Sequence, residues 1–270
     1  LNMFGNLTPT VKNLLIINIA IFALQSLIFS TDMFVNLFGL RYINAETFRP
    51  YQFVTHLFIH GGLFHLFGNM FALFIFGPLL ERVWGNQRFL VFYLVTGLGA
   101  SLLYSGINYY EVYQLEQAAD QVLEETTPER LSTFLLEEAE FAYQGSSQIK
   151  ALVDGFYDNP NSSSYISQGR QLVQQVVQSK ANIPMVGASG AVFGILMAFG
   201  LLFPNTELFL LFFPFPIKAK YFVLFYGAYE LWAGFSRQPG DNVAHFAHLG
   251  GMLFAFILLK IWKDKRNAFY

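Results

Sequence analysis

The chain has 270 residues, of which 54% are hydrophobic and 13% charged, with 32 phenylalanines. That is too apolar for an ordinary soluble domain and reads as a polytopic protein embedded in a lipid bilayer. A formal net charge of -2 argues against a nucleic-acid partner, and the absence of cysteine excludes disulfides, thiolate catalysis and cysteine metal sites, so any nucleophile is an oxygen or a nitrogen.

The first apolar segment, about Val11 to Phe29, carries only Lys12 near its start and no small-residue cleavage site after it, so it is expected to be a retained anchor and the first membrane span. The mixed stretch from Ser30 to Thr55 sets Asp32, Arg41, Glu46, Arg49 and Pro50 among aromatics, as in a loop lying partly in the membrane interface. A second span is expected from about Gly62 to Leu80 and a third from about Phe89 to Tyr109, joined by the polar turn Glu81 to Arg88. From Tyr110 to about Ile183 the composition changes abruptly: eleven of the eighteen acidic residues lie here, with four strong bases. This insert must sit outside the bilayer. Leu115 to Glu125 and Pro128 to Tyr143 have helical spacing, with Thr127-Pro128 as a helix start, and Asp158 to Ser164 reads as a connector.

The fourth span covers about Met185 to Phe203. The run Leu208 to Phe213 is too short to cross and is followed by Pro214 and Pro216, so it reads as interfacial. A fifth span runs from about Ala219 to Phe235 and a sixth from about Val243 to Trp262. The fold class is therefore an all-α membrane protein: residues 1–109 and 184–270 form one six-helix membrane domain, and 110–183 a helical extracytoplasmic insert. With the insert set aside, nine bases (Lys12, Arg82, Arg88, Lys218, Lys220, Lys260, Lys263, Lys265 and Arg266) fall on the side of the termini and three (Arg41, Arg49 and Arg237) opposite, which puts both termini in the cytoplasm of a multi-pass cell-membrane protein.

Polar residues inside these spans point to chemistry. Gly187-Ala188-Ser189-Gly190 places a hydroxyl among residues with almost no bulk, and Gly190 and Gly194 let a neighbouring helix come close. Ser189 is expected about four residues into the fourth span, roughly 6 Å below its outer end at 1.5 Å per residue. His248 lies near the start of the sixth span, and His65 and Asn69 in the first half of the second. All three spans run from outside to inside, so the four residues gather in the outer half of the bilayer, where intramembrane polar groups mark function. A serine hydroxyl needs a base, and imidazole suits that role. His245 and His248 are both candidates; His248 is chosen because Gly250 and Gly251 follow it, and Gly251 with Ala255 forms a small-residue face for packing on Gly190 and Gly194. His65 and Asn69, four apart, share a helical face from which they could donate to a developing oxyanion together with the Ser189 N–H.

These residues carry a family resemblance. The string His56 to Asn69 (HLFIHGGLFHLFGN), then Glu81-Arg82 and Gly85, then Gly187 to Gly190, and finally Ala247-His248-Leu249-Gly250-Gly251 are similar to the signature of rhomboid intramembrane serine proteases. The resemblance implies a six-helix core, a Ser-His dyad without a third carboxylate, an oxyanion hole using the second-helix His and Asn, and cleavage of transmembrane protein substrates near the outer face. Carried over, Ser189 is the nucleophile, His248 the general base, His65 and Asn69 the oxyanion donors, and Phe193 the aromatic that stacks on the imidazole. Three departures stand out: Tyr51-Gln52 where Trp-Arg is frequent, Ala255 where a glycine is expected, and the long 110–183 insert, whose position before Ser189 and acidic character suit substrate access and charge selection.

Neither cofactor nor metal is expected in the chemistry, since the His56 and His60 pair lacks an H-E-x-x-H or a clustered carboxylate. A transporter would place its polar residues near the midplane of repeated halves, and no repeat is seen. The alternative within the same family is a catalytically inactive membrane-protein binding or quality-control factor, although such proteins usually lack the serine or histidine present here.

Overall fold

A computed structural model of the chain describes residues 7–143, 145–209, 215–236 and 243–263. Helix α1 (Pro9–Ala23) starts after Thr8 with proline in its first turn, where a missing N–H costs nothing, and continues as a wider π turn over Leu24–Ile28. Its first donors are met from another helix: Glu81 accepts from the N–H groups of Thr10 and Val11 at 2.8 and 2.9 Å and from the Thr8 hydroxyl. A carboxylate at a helix N-terminus also complements the helix dipole. Glu81, singled out with Arg82 by the family signature, thus ties α1 to the end of the second expected span, Leu63–Trp84.

The loop that follows is a built structure. Helix α2 (Thr31–Phe38), capped by the Ser30 hydroxyl, leads to a bridge in which Leu40 and Met185 exchange both backbone hydrogen bonds at 2.9 Å. Gln52, the first residue of the short helix α3 (Gln52–Thr55), is 1% exposed; its amide oxygen accepts from the N–H groups of Arg41 and Arg49 while its nitrogen donates to the carbonyls of Leu37 and Thr47. The Tyr51-Gln52 departure therefore keeps the loop anchored, through an amide in place of an arginine.

Helix α4 (Leu63–Trp84) and helix α5 (Asn86–Glu124) are joined through Gly85, whose φ of 79° suits glycine. Helix α5 does not stop near Tyr109. Its buried face continues through Val112, Leu115, Ala119 and Val122 at helical spacing, so the polar boundary seen in the sequence marks a change of surroundings and not a helix end. Beyond it come helices α6 (Pro128–Thr133, extended by a π turn to Glu138), α7 (Glu140–Tyr143), α8 (Ser147–Asp158) and α9 (Ser163–Ala181). They close over a second hydrophobic core in which Leu115 and Val122 of α5 meet Leu131, Phe134, Leu135, Phe156 and Val173.

Helix α10 (Ser189–Leu202) is the centre of the larger core, with ten of its fourteen residues buried and helices α4, α5, α11 and α12 packed around it. A two-residue hairpin, β1 (Glu207–Leu208) against β2 (Ile217–Lys218), precedes helix α11 (Ala219–Ser236), and helix α12 (His245–Lys263) closes the bundle. Of the interfacial run, residues 210–213 lie outside the described residues, as do Pro214, Arg237, Lys265 and Arg266 from the charge argument.

By length and composition, four helices among the described residues can cross a membrane, over Pro9–Ile28, Leu63–Trp84, Asn86–Glu124 and His245–Trp262; Ser189–Leu202 is apolar but shorter. Side chains such as Phe64, 90% exposed, and Leu27, 82% exposed, point away from the protein, as lipid-facing residues do. The chain is a multi-pass membrane protein whose described residues are helical apart from the hairpin, the Leu40–Met185 bridge and the connecting turns.

The small-residue seam is tighter than spacing alone implies. A Cβ added to Gly251 would lie 1.9 Å from the carbonyl oxygen of Gly190, so α12 touches the α10 backbone directly. Gly194 faces elsewhere: its Cβ would meet Thr96 of α5 at 2.7 Å. Gly190 faces α5 as well, where its Cβ would lie 2.4 Å from that of Ala100, and it is the Gly190 carbonyl that meets Gly251, so α10 is wedged between two helices.

Candidate active site

Ser189 is the first residue of α10, not four residues inside it. The chain before it is held extended by the Leu40–Met185 bridge, and Gly187 then turns with φ 114°, a conformation in which glycine alone is unstrained. The Gly187 N–H donates to the His56 carbonyl at 2.8 Å. His56 is itself fixed, its Nδ1–H donating to the Gln52 carbonyl, and burial pushes its imidazole down to about 4, which keeps it neutral. The first-loop string thus positions the serine through backbone contacts. At the start of a helix the first backbone N–H groups have no intrahelical partner, so the Ser189 N–H is available to an anion there.

His65 and Asn69 reach this turn from α4. A Cβ added to Gly187 would lie 2.5 Å from His65 Nε2 and 3.6 Å from Asn69 Nδ2. His65 Nδ1 accepts from the Gly61 N–H at 3.4 Å, which in a neutral ring leaves the hydrogen on Nε2, the atom beside Gly187. Asn69 is 5% exposed and its Nδ2 is a buried donor with no hydrogen-bond partner among the described residues. Two donors therefore converge beside the backbone that precedes Ser189. A buried orphan donor such as Asn69 Nδ2 costs stability unless something accepts from it, and here a ligand oxygen can.

His248 approaches from α12. Its ring stacks on Phe193, one turn after Ser189 on the same face of α10, with centroids 4.0 Å apart and planes 6° from parallel. On the far side lies a residue that sequence reasoning missed. Glu230 of α11 is 2% exposed, and one of its oxygens, Oε2, sits 2.8 Å from His248 Nδ1 and 2.6 Å from His245 Nδ1. An ionised carboxylate only accepts, so each Nδ1 carries a hydrogen and His248 Nε2 is left with a free lone pair. The resemblance implied no third carboxylate; the structure puts one on the candidate base. The signal was present in the sequence as the single acid between Ala219 and Ser236 in an apolar helix.

Glu230, His245 and His248 each offer one ligand atom within 4.8 Å of the others, the described group best placed to hold a metal. The site therefore comprises a serine at a helix start, an imidazole with an oriented free nitrogen, and paired donors near the serine. Those are the parts of nucleophilic acyl transfer.

Comparison with known proteins converges on one group. The Rhomboid domain family model matches residues 47–113 and 164–264. RHOMBOID-like protein 12, mitochondrial, of Arabidopsis thaliana is 24% identical over 247 residues, 92% of this chain and 56% of that protein. Rhomboid-like protein 11, chloroplastic, of the same plant is 49% identical over 53 residues, covering 20% of this chain and 19% of the relative. Rhomboid protease AarA of Providencia stuartii is 31% identical over 104 residues, 37% of each. The matches span at most 56% of the length of these relatives.

Proposed function

The chain belongs to the rhomboid family, and on that premise we propose that it is an intramembrane serine endopeptidase that hydrolyses peptide bonds in or near transmembrane segments of membrane-protein substrates. Ser189 Oγ attacks the carbonyl carbon while His248 Nε2 takes its proton. The oxyanion is met by the Ser189 N–H, His65 Nε2–H and Asn69 Nδ2–H. The imidazolium then gives its proton to the leaving amine, and water resolves the acyl-enzyme by the same route in reverse. Glu230 is a positioning residue: it keeps Nδ1 protonated, so that Nε2 is the basic atom, and it stabilises the imidazolium.

In the same reading α10 and α11 complete six spans with α1, α4, α5 and α12, both termini are cytoplasmic in the cell membrane, and 110–183 is an extracytoplasmic domain beside the site. Residues 1–109 and 184–270 then form one membrane domain. The acidic surface of 110–183 would favour substrates with basic juxtamembrane segments.

One observation carries the proposal: two donors, one of them buried and unpartnered, converge on the turn that delivers Ser189. The test is cleavage of a model transmembrane substrate by the purified protein, with Ser189→Ala expected to cleave nothing while expressing and folding normally. Cleavage by Ser189→Ala would reject the mechanism. Asn69→Ala is expected to lower turnover roughly tenfold to a thousandfold, as loss of one oxyanion donor does. The companion variant Glu230→Gln should lower kcat with little change in KM, and unchanged kcat in both would remove these supports from the mechanism.

A further inference from the structure

The carboxylate shared by two imidazoles is more than one base needs. His245, at the first turn of α12, contributes its Nδ1 to Glu230 on the same oxygen as His248. Two imidazole nitrogens and a carboxylate are a ligand set suited to zinc, leaving a fourth position for water. The donors come from two helices packed on each other, which is why no sequence motif announces them. All three residues are buried, at 2% to 8% exposure, and His245 begins its helix, so both histidines lie within the first turn of α12.

We propose that Glu230, His245 and His248 bind a divalent cation of the zinc class, and that occupancy switches off the protease activity of the same site. The switch works through tautomers. While Nδ1 of His248 donates to Glu230, Nε2 is free to take the serine proton. When Nδ1 ligates a metal, the ring hydrogen must sit on Nε2, and that atom can no longer act as a base. One nitrogen thus decides between an active and an inactive ring with no change in the proton count of the histidine. The present spacings of 2.6 and 2.8 Å are hydrogen-bond distances. Ligands on a tetrahedral zinc with bonds near 2.0–2.1 Å stand about 3.3 Å apart, so the carboxylate must withdraw from the two nitrogens for an ion to take its place between them.

The binding half stands on the cluster alone; the inhibition half rests on the proposed protease reading. The experiment separates them. Purified protein is stripped with EDTA, dialysed and titrated with Co2+, whose visible absorption reports tetrahedral nitrogen and oxygen ligation, and Zn2+ is then added to displace it. Cleavage of the model substrate is measured over the same Zn2+ series, with EDTA added at the end. The expected result is a Co2+ spectrum in both wild type and Ser189→Ala, and Zn2+ inhibition that EDTA reverses. His245→Gln, whose amide can still donate to Glu230, should cleave like wild type yet need at least about tenfold more Zn2+ for half-inhibition, as loss of a ligand requires. Absence of a Co2+ spectrum in the wild type overturns the site, and this measurement stands even if His245→Gln does not fold. Equal Zn2+ sensitivity of His245→Gln and wild type overturns it as well, placing any inhibition at other histidines. Metal binding that leaves cleavage unchanged overturns the switch. A wild type that cleaves nothing rejects the protease reading, while the Co2+ titration still decides the site.

Discussion

His248→Ala is expected to reduce cleavage of a transmembrane substrate by roughly 10²- to 10⁴-fold, the range that a positioned general base contributes, whereas His245→Ala keeps most of the activity. The two histidines are close enough to make this a discriminating pair, since both hydrogen-bond the same Glu230 oxygen. They differ in what lies on the other face of the ring. His248 stacks on Phe193, the residue one turn after Ser189, while His245 meets Tyr229 edge-on at 6.3 Å on the α11 side. The base must reach the serine, and His248 is the one whose ring stacks on a residue one turn after it. Turnover under saturating substrate, with thermal unfolding as a fold control, makes the comparison. An inactive His245→Ala beside an active His248→Ala would reverse the assignment.

The second large effect is on folding. Gly251→Leu should remove at least about 3 kcal/mol of stability, the upper part of the range for overpacking, and abolish activity with it. Even a methyl group at this position would lie 1.9 Å from the Gly190 carbonyl oxygen and 2.8 Å from its carbonyl carbon, and backbone cannot rotate away as a side chain can. Relief requires α12 to move off α10, which would also pull His248 away from Phe193. Gly106→Ala in α5 is the control, because a Cβ there meets nothing within 4 Å and alanine is the better helix former. Thermal unfolding of the two variants in detergent checks the contrast. Similar unfolding temperatures for Gly251→Leu and wild type would mean that the seam is looser than the structure has it.

Much of this arrangement is legible in the sequence because membrane helices have few ways to carry polarity. His65 and Asn69 share a face by their spacing, and both reach the turn before Ser189. The Phe193 ring lies where the family pattern predicts an aromatic on the imidazole. What was not legible has physical causes. The start of α10 is fixed by the pairing of Met185 with Leu40, 145 residues earlier in the chain, so an apolar run that reads as helix from Met185 begins as a strand-like bridge. Helix α5 passes through the change in composition because its buried face switches from one hydrophobic core to the other without a breaker. Glu230 is not legible because nothing local links a lone acid in an apolar helix to histidines fifteen and eighteen residues later. Only the packing of α11 on α12 brings the lone acid to His248.

In the proposed mechanism Ser189 is a nucleophile made reactive by His248. The most direct measurement is the site of covalent attachment after treating the purified protein with a fluorophosphonate, read by mass spectrometry of its peptides. The expected result is a single adduct on Ser189, strongly reduced in His248→Ala. An adduct on another residue with Ser189 unmodified would contradict it.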